Sequence, residues 1–215
     1  MTHATDGLPA REVGLQLDRI ADELADRFHG VFGRENAELF VRETYDLLAE
    51  HATVTVHLPA LTARFARERL VDLGRAEGLT QVTVPQVLFL CVHNVGRSQM
   101  AAALLDHHAF GRVTVRSAGS QPTGEIPEII TAALRELHVP LEAAYPKPLT
   151  DEVLRASDVV VTMGCGDACA IYPGKRYLDW DIPDPDGEPL HMVRRIRDEI
   201  DRHVRGLLDE LGNQP

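Results

Sequence analysis

In the stretch Val87-Leu88-Phe89-Leu90-Cys91-Val92-His93-Asn94-Val95-Gly96-Arg97-Ser98, a continuous apolar run gives way to a short polar loop and then to helix-forming residues. An unbroken apolar run of this length fits a parallel strand buried on both faces. Working outward, the spacing predicts a helix over 98–110, then an alternating strand at Val113-Thr114-Val115-Arg116 and a helix from 127 to about 138. An apolar strand follows at Val159-Val160-Val161-Thr162, a short strand near Tyr177-Leu178, and a terminal helix over 192–211. Strands alternating with helices imply an α/β domain, a small parallel sheet with flanking helices joined by right-handed crossovers. Ligands of such sheets bind at the carboxyl ends of the strands, where Cys91 falls.

The loop after this strand pairs a cysteine with an arginine across five residues, Val92-His93-Asn94-Val95-Gly96, and Ser98 follows Arg97. A loop that wraps back on itself can turn successive backbone N–H groups inward, a nest for a tetrahedral oxyanion. The helix that follows aims its positive end at the same place. Arg97 can hold two anionic oxygens with its planar fork, and the same field favours Cys91 as a thiolate nucleophile. Ser98 can donate to the sulfur, Asn94 can brace the loop, and Gly96 allows backbone geometry that a larger residue resists. The competing interpretation is a structural cysteine at a strand end, but its coincidence with this arginine and serine, between strand and helix, is improbable from composition alone.

The rest of the 215-residue chain bounds the classes open to it. Apolar residues make up 44% and charged residues 26%, which is ordinary for a globular chain and excludes a disordered one. No apolar run approaches the roughly 18–20 residues that cross a bilayer. Twenty-two basic residues against 33 acidic give −11, which argues against nucleic-acid and anionic-membrane partners. The opening Met1-Thr2-His3-Ala4-Thr5-Asp6 lacks a basic stretch followed by an apolar core, so a cytoplasmic location is expected. Three cysteines, Cys91, Cys165 and Cys169, fit free thiols in a reducing compartment. The ten histidines form no zinc-ligand spacing, and no metal site or resident cofactor is expected. His107-His108 reads as a helix-surface pair and His93 as a loop residue at the substrate entrance.

Before residue 80 the pattern is helical throughout. Val13, Leu17, Ile20, Leu24 and Phe28 form one apolar stripe; Ala37, Phe40, Val41, Thr44 and Leu48 form a second. A third helix begins at Pro59 and carries Leu61, Phe65, Leu70 and Leu73. The chain therefore divides into an all-α three-helix bundle over 1–80 and an α/β domain over 81–215. A bundle this small either packs as a passive extension or gains stability by pairing with a second copy.

The segment Leu88-Phe89-Leu90-Cys91 through Arg97-Ser98-Gln99-Met100-Ala101, with Ser117-Ala118-Gly119 and Asp184-Pro185, resembles the low-molecular-weight protein tyrosine phosphatase superfamily. More narrowly, residues 86–211 resemble the thioredoxin-coupled arsenate reductases built on that fold. Val56-His57-Leu58-Pro59-Ala60-Leu61 and Phe65-Ala66-Arg67-Glu68-Arg69-Leu70 resemble a three-helix dimerisation domain fused to some actinobacterial members. A thiolate displacing oxygen from a tetrahedral centre needs an acid for the departing group, and Trp180-Asp181-Ile182-Pro183-Asp184-Pro185-Asp186 offers three carboxylates. The superfamily's acid stands immediately before a proline, and this selects Asp184.

The resemblance further implies arsenate, or phosphate, as the bound oxyanion, thioredoxin as reductant, and a homodimer. It gives Cys91, Arg97 and Asp184 to chemistry at the oxyanion, and Val92, His93, Asn94, Val95, Gly96, Arg97 and Ser98 to its binding. Cys165 and Cys169 become the relay that delivers electrons. If their segment takes a helical turn, four residues rise about 6 Å, near the upper end of what a disulfide accepts. This pair is closer in sequence than the resolving pair of better-known reductases. Asp186-Gly187-Glu188, with two acidic residues, stands where phosphatases of the superfamily carry aromatics, which disfavours phosphotyrosine. Ala102 replaces the glutamate that binds potassium in some relatives, and the Lys147 ammonium is expected to brace the loop through Asn94 instead. A phosphomonoester hydrolase and a non-enzymatic oxyanion or redox sensor are the alternatives.

Overall fold

The computed structural model describes residues 9–50, 52, 55–141, 144–164 and 170–212. The chain divides into two compact units, Met1–Gln81 and Val82–Pro215, with separate apolar cores.

Among the described residues, three helices make the first unit: α1 (Ala10–Arg27), α2 (Arg34–Ala49) and α3 (Leu58–Ala76). Spacings of three and four bring Leu17, Ala21 and Leu24 of α1 onto Ala37 and Val41 of α2 and Ala66 and Leu70 of α3, with Phe32 closing the end. Pro59 sits in the first turn of α3, where its missing N–H is no loss. Arg69 is buried here; its Nη1 donates to Thr44 Oγ1 at 2.9 Å, and its guanidinium lies 4.7 Å from the Phe40 ring centroid. Stacking, a hydroxyl partner and the Glu43 carboxylate 3.4 Å from its Nη2 let a cation sit in this core.

The second unit is built on a four-stranded parallel sheet of order β2-β1-β3-β4, from β1 (Gln86–Cys91), β2 (Thr114–Gly119), β3 (Val159–Thr162) and β4 (Arg176–Asp179). Every residue of β1 is buried, and its side chains alternate between two cores. Val87, Phe89 and Cys91 point to the face covered by α4 (Arg97–Ala109), α5 (Glu128–Arg135) and α7 (Leu190–Gly212). Leu88 and Leu90 point to the other face, against Val153 and Leu154 of the short helix α6 (Asp151–Ala156). The register sets Cys91 beside Gly119 and Leu90 beside Thr162, so the three strand ends open on one edge of the sheet. Among the described residues no helix is long and apolar enough to cross a membrane.

Three local departures from the sequence expectation have physical causes. Helix α6 spans six residues, too few for a periodic stripe to show. Helix α5 stops at Arg135 rather than near 138, because His138 adopts a left-handed φ of 58° and Val139 N–H donates back to the Leu134 carbonyl at 3.2 Å. This is a Schellman closure with histidine where glycine is usual. His108 is no surface feature: its Nε2 lies 2.6 Å from Asp201 of α7, and the pair joins α4 to α7. Burial pushes the Asp201 carboxyl up, but hydrogen bonds from Arg205 and His108 outweigh it and hold it below the ordinary range.

Candidate active site

The cysteine loop follows from how its carbonyls are spent. The Cys91 and Val92 carbonyls accept from the N–H groups of Ser120 (3.1 Å) and Gln121 (2.9 Å), just past the end of β2. The Asn94 carbonyl accepts from Gln99 Nε2 at 3.0 Å. With these oxygens drawn into the protein, the peptide planes turn their N–H groups the other way. Among the described residues, no protein acceptor takes the N–H groups of His93, Val95 or Gly96. Helix α4 starts at Arg97, so its positive end adds to the same field.

Asn94 is the pivot of the loop. It is fully buried and sits at φ 56°, a left-handed conformation that asparagine tolerates better than most residues. Its N–H donates to Cys91 Sγ at 3.2 Å and its Nδ2 to Ser98 Oγ at 2.8 Å. Because Ser98 Oγ accepts that bond and lies 2.9 Å from Cys91 Sγ, its own hydrogen is available to the sulfur. Two donors thus converge on a buried free thiol, an arrangement suited to a sulfur that carries negative charge. Asn94 Oδ1 accepts from the backbone N–H of Lys147 at 2.9 Å. Lysine 147 therefore does brace the loop through Asn94, but by its main chain; its ammonium lies over the Tyr145 ring, 5.5 Å from the centroid.

Arg97 and Asp184 meet across the mouth of the loop. Arg97 Nη2 is 2.6 Å from Asp184 Oδ2, and Nη1 donates to the Ile182 carbonyl at 3.3 Å. The acidic loop is anchored on both sides: Trp180 packs on Phe89 with centroids 5.6 Å apart, Ile182 is buried, and Pro185 presses on Gly96. Gly96 has φ −124° and ψ −96°, outside the main regions open to residues with a Cβ, as its sequence role anticipated. A Cβ there would also lie 2.9 Å from Pro185 Cγ, so the position needs space as well. Asp184 Oδ1 also accepts from the Asp186 N–H at 3.1 Å, which fixes the carboxylate's direction.

These groups line a cleft of about 320 Å³ that holds Cys91, His93, Arg97 and Asp184, with Glu125 and Asp186 on its rim and Ile129 and Ile130 on one wall. Its scale and polar floor suit a small oxyanion. Among the described residues, no aromatic side chain other than His93 lines it. Of the expected site residues, Cys91, His93, Asn94, Val95, Gly96, Arg97, Ser98 and Asp184 lie together here, while Val92 is not part of the cleft lining and gives its carbonyl to Gln121. Cys165 and Cys169 lie outside the described residues. Their segment leaves β3 through Gly164, at φ 71°, where an added Cβ would lie 2.8 Å from Arg97 Nη1. Sequence reasoning missed this contact, and it assigned no role to Gln99 or Gly119. A glycine ending a strand is a signal of close backbone approach, and Gly119 has that place.

Two families match the chain. The protein-tyrosine-phosphatase-like N-terminal domain covers residues 17–74, and the low molecular weight phosphotyrosine protein phosphatase covers residues 86–215. The solved thioredoxin-dependent arsenate reductase of Corynebacterium glutamicum is 49% identical, with a TM-score of 0.84 over 91% of this chain and 96% of that one. An arsenate reductase of Bacillus cereus is 31% identical over 123 residues, 55% of this chain and 90% of that protein. The YwlE arginine phosphatase of Geobacillus stearothermophilus is 28% identical, with a TM-score of 0.53 over 60% of this chain and 93% of that one.

Proposed function

The chain belongs to the low molecular weight phosphotyrosine protein phosphatase family, and from that premise we propose that it is an enzyme reducing arsenate to arsenite. The observation that carries this reading is the Cys91 cradle, two donors on the sulfur facing Arg97 and Asp184 across a small cleft, in a chain so similar to an arsenate reductase over both of its units. Arsenate sits with its oxygens on the N–H groups of His93, Val95 and Gly96 and on the Arg97 fork. Cys91 attacks arsenic; a sulfur–arsenic bond forms, an arsenic–oxygen bond breaks, and Asp184 protonates the departing oxygen, which leaves as water. Cys165 then attacks the Cys91 sulfur. A Cys91–Cys165 disulfide forms, the sulfur–arsenic bond breaks with its electron pair left on arsenic, and As(III) departs as arsenite. Cys169 attacks Cys165, Cys91 returns as a thiolate, and thioredoxin reduces the Cys165–Cys169 disulfide.

The same reading makes the three-helix unit, residues 1–80, a dimerisation domain and residues 81–215 the reductase domain. Its thiols require a reducing compartment, which makes the cytoplasm the place of action. Phosphomonoester hydrolysis is the second reading, because Cys91, Arg97 and Asp184 suffice for it once water attacks the thiophosphate. The acidic rim and the lack of an aromatic platform weigh against a phosphotyrosine substrate. The test is arsenate-dependent NADPH consumption with thioredoxin and its reductase. Turnover that vanishes in Cys91→Ser and collapses in Cys169→Ser is expected. Undiminished turnover in Cys169→Ser sinks the relay, and ester hydrolysis without arsenate-dependent NADPH consumption favours the phosphatase.

A further inference from the structure

Gln99 occupies a position that none of the chemistry above uses. It lies in the first turn of α4, is 3% exposed, and places its Nε2 3.0 Å from each of three oxygens: the Asn94 carbonyl, Asn94 Oδ1 and the Tyr145 carbonyl. A carboxamide nitrogen has two hydrogens, so three buried acceptors share two donors. Buried oxygens gathered this closely repel one another unless a donor or positive charge stands between them. Two of the three belong to Asn94, whose left-handed backbone aims its N–H at Cys91 Sγ and whose Nδ2 sets Ser98.

We propose that Gln99 is the positioning residue of the cysteine loop: by gathering these three oxygens its amide fixes the turn at Asn94, and through it both donors that converge on the Cys91 sulfur. The proposal rests on Cys91 being the nucleophile. Gln99 itself is not part of the cleft lining, and its hydrogen bonds go to Asn94 and Tyr145 rather than to the sulfur; it acts through Asn94. Methionine at this position keeps the length and removes the donors, which frees Asn94 to leave its strained conformation. Lysine brings three N–H donors to three acceptors, so it restores what methionine removes.

The test reads the sulfur directly in the full chain: the pH profile of iodoacetamide alkylation at Cys91, resolved from the other thiols by peptide mass spectrometry. Gln99→Met is expected to move the midpoint upward, with about tenfold slower alkylation at neutral pH, the scale of one lost hydrogen bond to a charged group. Gln99→Lys is expected to return most of that loss. In arsenate turnover Gln99→Met lowers kcat more than it raises KM, since the groups that hold the oxyanion remain. A Gln99→Met profile that coincides with the parent's overturns the proposal. So does a Gln99→Lys profile displaced as far as that of Gln99→Met when both variants melt near the parent. If Gln99→Met does not fold, the parent decides: the Gln99 side-chain amide resonances should shift as Cys91 ionises, and resonances that stay fixed overturn the proposal. Failure of arsenate reduction with an intact alkylation pattern rejects the reductase reading and leaves Gln99's role standing.

Discussion

At Gly119 a single hydrogen atom separates a working loop from a displaced one. A Cβ there would lie 2.7 Å from the Val92 carbonyl oxygen and 3.0 Å from Asn94 Cβ, and neither neighbour is the free end of a flexible side chain. Gly119→Ala must therefore push the cysteine loop away from β2, breaking the pattern in which Ser120 and Gln121 hold the loop carbonyls. The expected outcome is about 1–3 kcal/mol of lost stability by overpacking, together with loss of arsenate turnover beyond what unfolding explains. Gly206 supplies the control. It lies in α7 with nothing within 4 Å of a Cβ, so Gly206→Ala should stabilise by up to about 1 kcal/mol and leave turnover unchanged. Urea unfolding and steady-state assays of the two variants check both. The contrast also marks how far the site was legible. Cys91, Arg97 and Ser98 announce themselves because their chemistry requires those residue types at that spacing. Asp184 stood among three carboxylates and needed the family pattern to single it out. Gln99 acts by donating to oxygens around Asn94 and Gly119 by leaving space beside it. A strand-ending glycine hints at a close approach, but which partners they meet, Tyr145 and Val92, is set by the fold.

Between elements, the packing of α5 on α7 carries a pH dependence. Glu136, at the end of α5, accepts from Arg194 and Arg197 of α7, and these hydrogen bonds, Arg194's first, bring its carboxyl down from 4.5 to about 2. A carboxyl whose folded value is depressed stabilises the fold above its unfolded value and loses that contribution as pH falls through the folded one. The α5–α7 link should thus be at full strength above pH 4.5 and fade toward about pH 2. Glu136→Gln removes the titration, so its unfolding free energy should fall less steeply than the parent's across that window. Parallel slopes by urea denaturation would contradict the assignment. Arg197 also donates to the Ala133 carbonyl at 2.6 Å, which keeps the helix end held after Glu136 is protonated. Elements were legible where burial imposed a repeating pattern. The strand β1 is apolar at nearly every position because both of its faces are covered, and α7 is long enough for its stripe to repeat. Helix α6 buries only one turn, and the end of α5 depends on a left-handed histidine with no glycine to signal it.

For the whole molecule, two cores in one chain mean that ligand and concentration should act on different transitions. The α/β unit holds the oxyanion cleft, so an oxyanion that binds only the folded form stabilises that unit by mass action, about 2.7 kcal/mol at a hundredfold excess over Kd. The helical unit has a small core around Leu17, Val41 and Leu70, and under the dimer reading its stability depends on protein concentration instead. The net charge of −11 does not oppose the first effect, because the attraction is local, from Arg97, the loop N–H groups and the start of α4. Calorimetry of the full chain with all thiols kept reduced should therefore resolve two transitions. Phosphate or arsenate should raise only the transition of the α/β unit, and that response should disappear in Arg97→Ala. Raising the protein concentration should move only the other. A helical transition indifferent to concentration, with a monomeric mass by sedimentation, would remove dimerisation from the reading while leaving the chemistry at Cys91 intact. A single transition that answers to both variables would mean that the two cores melt as one cooperative unit, and that oxyanion binding stabilises the helical unit as well.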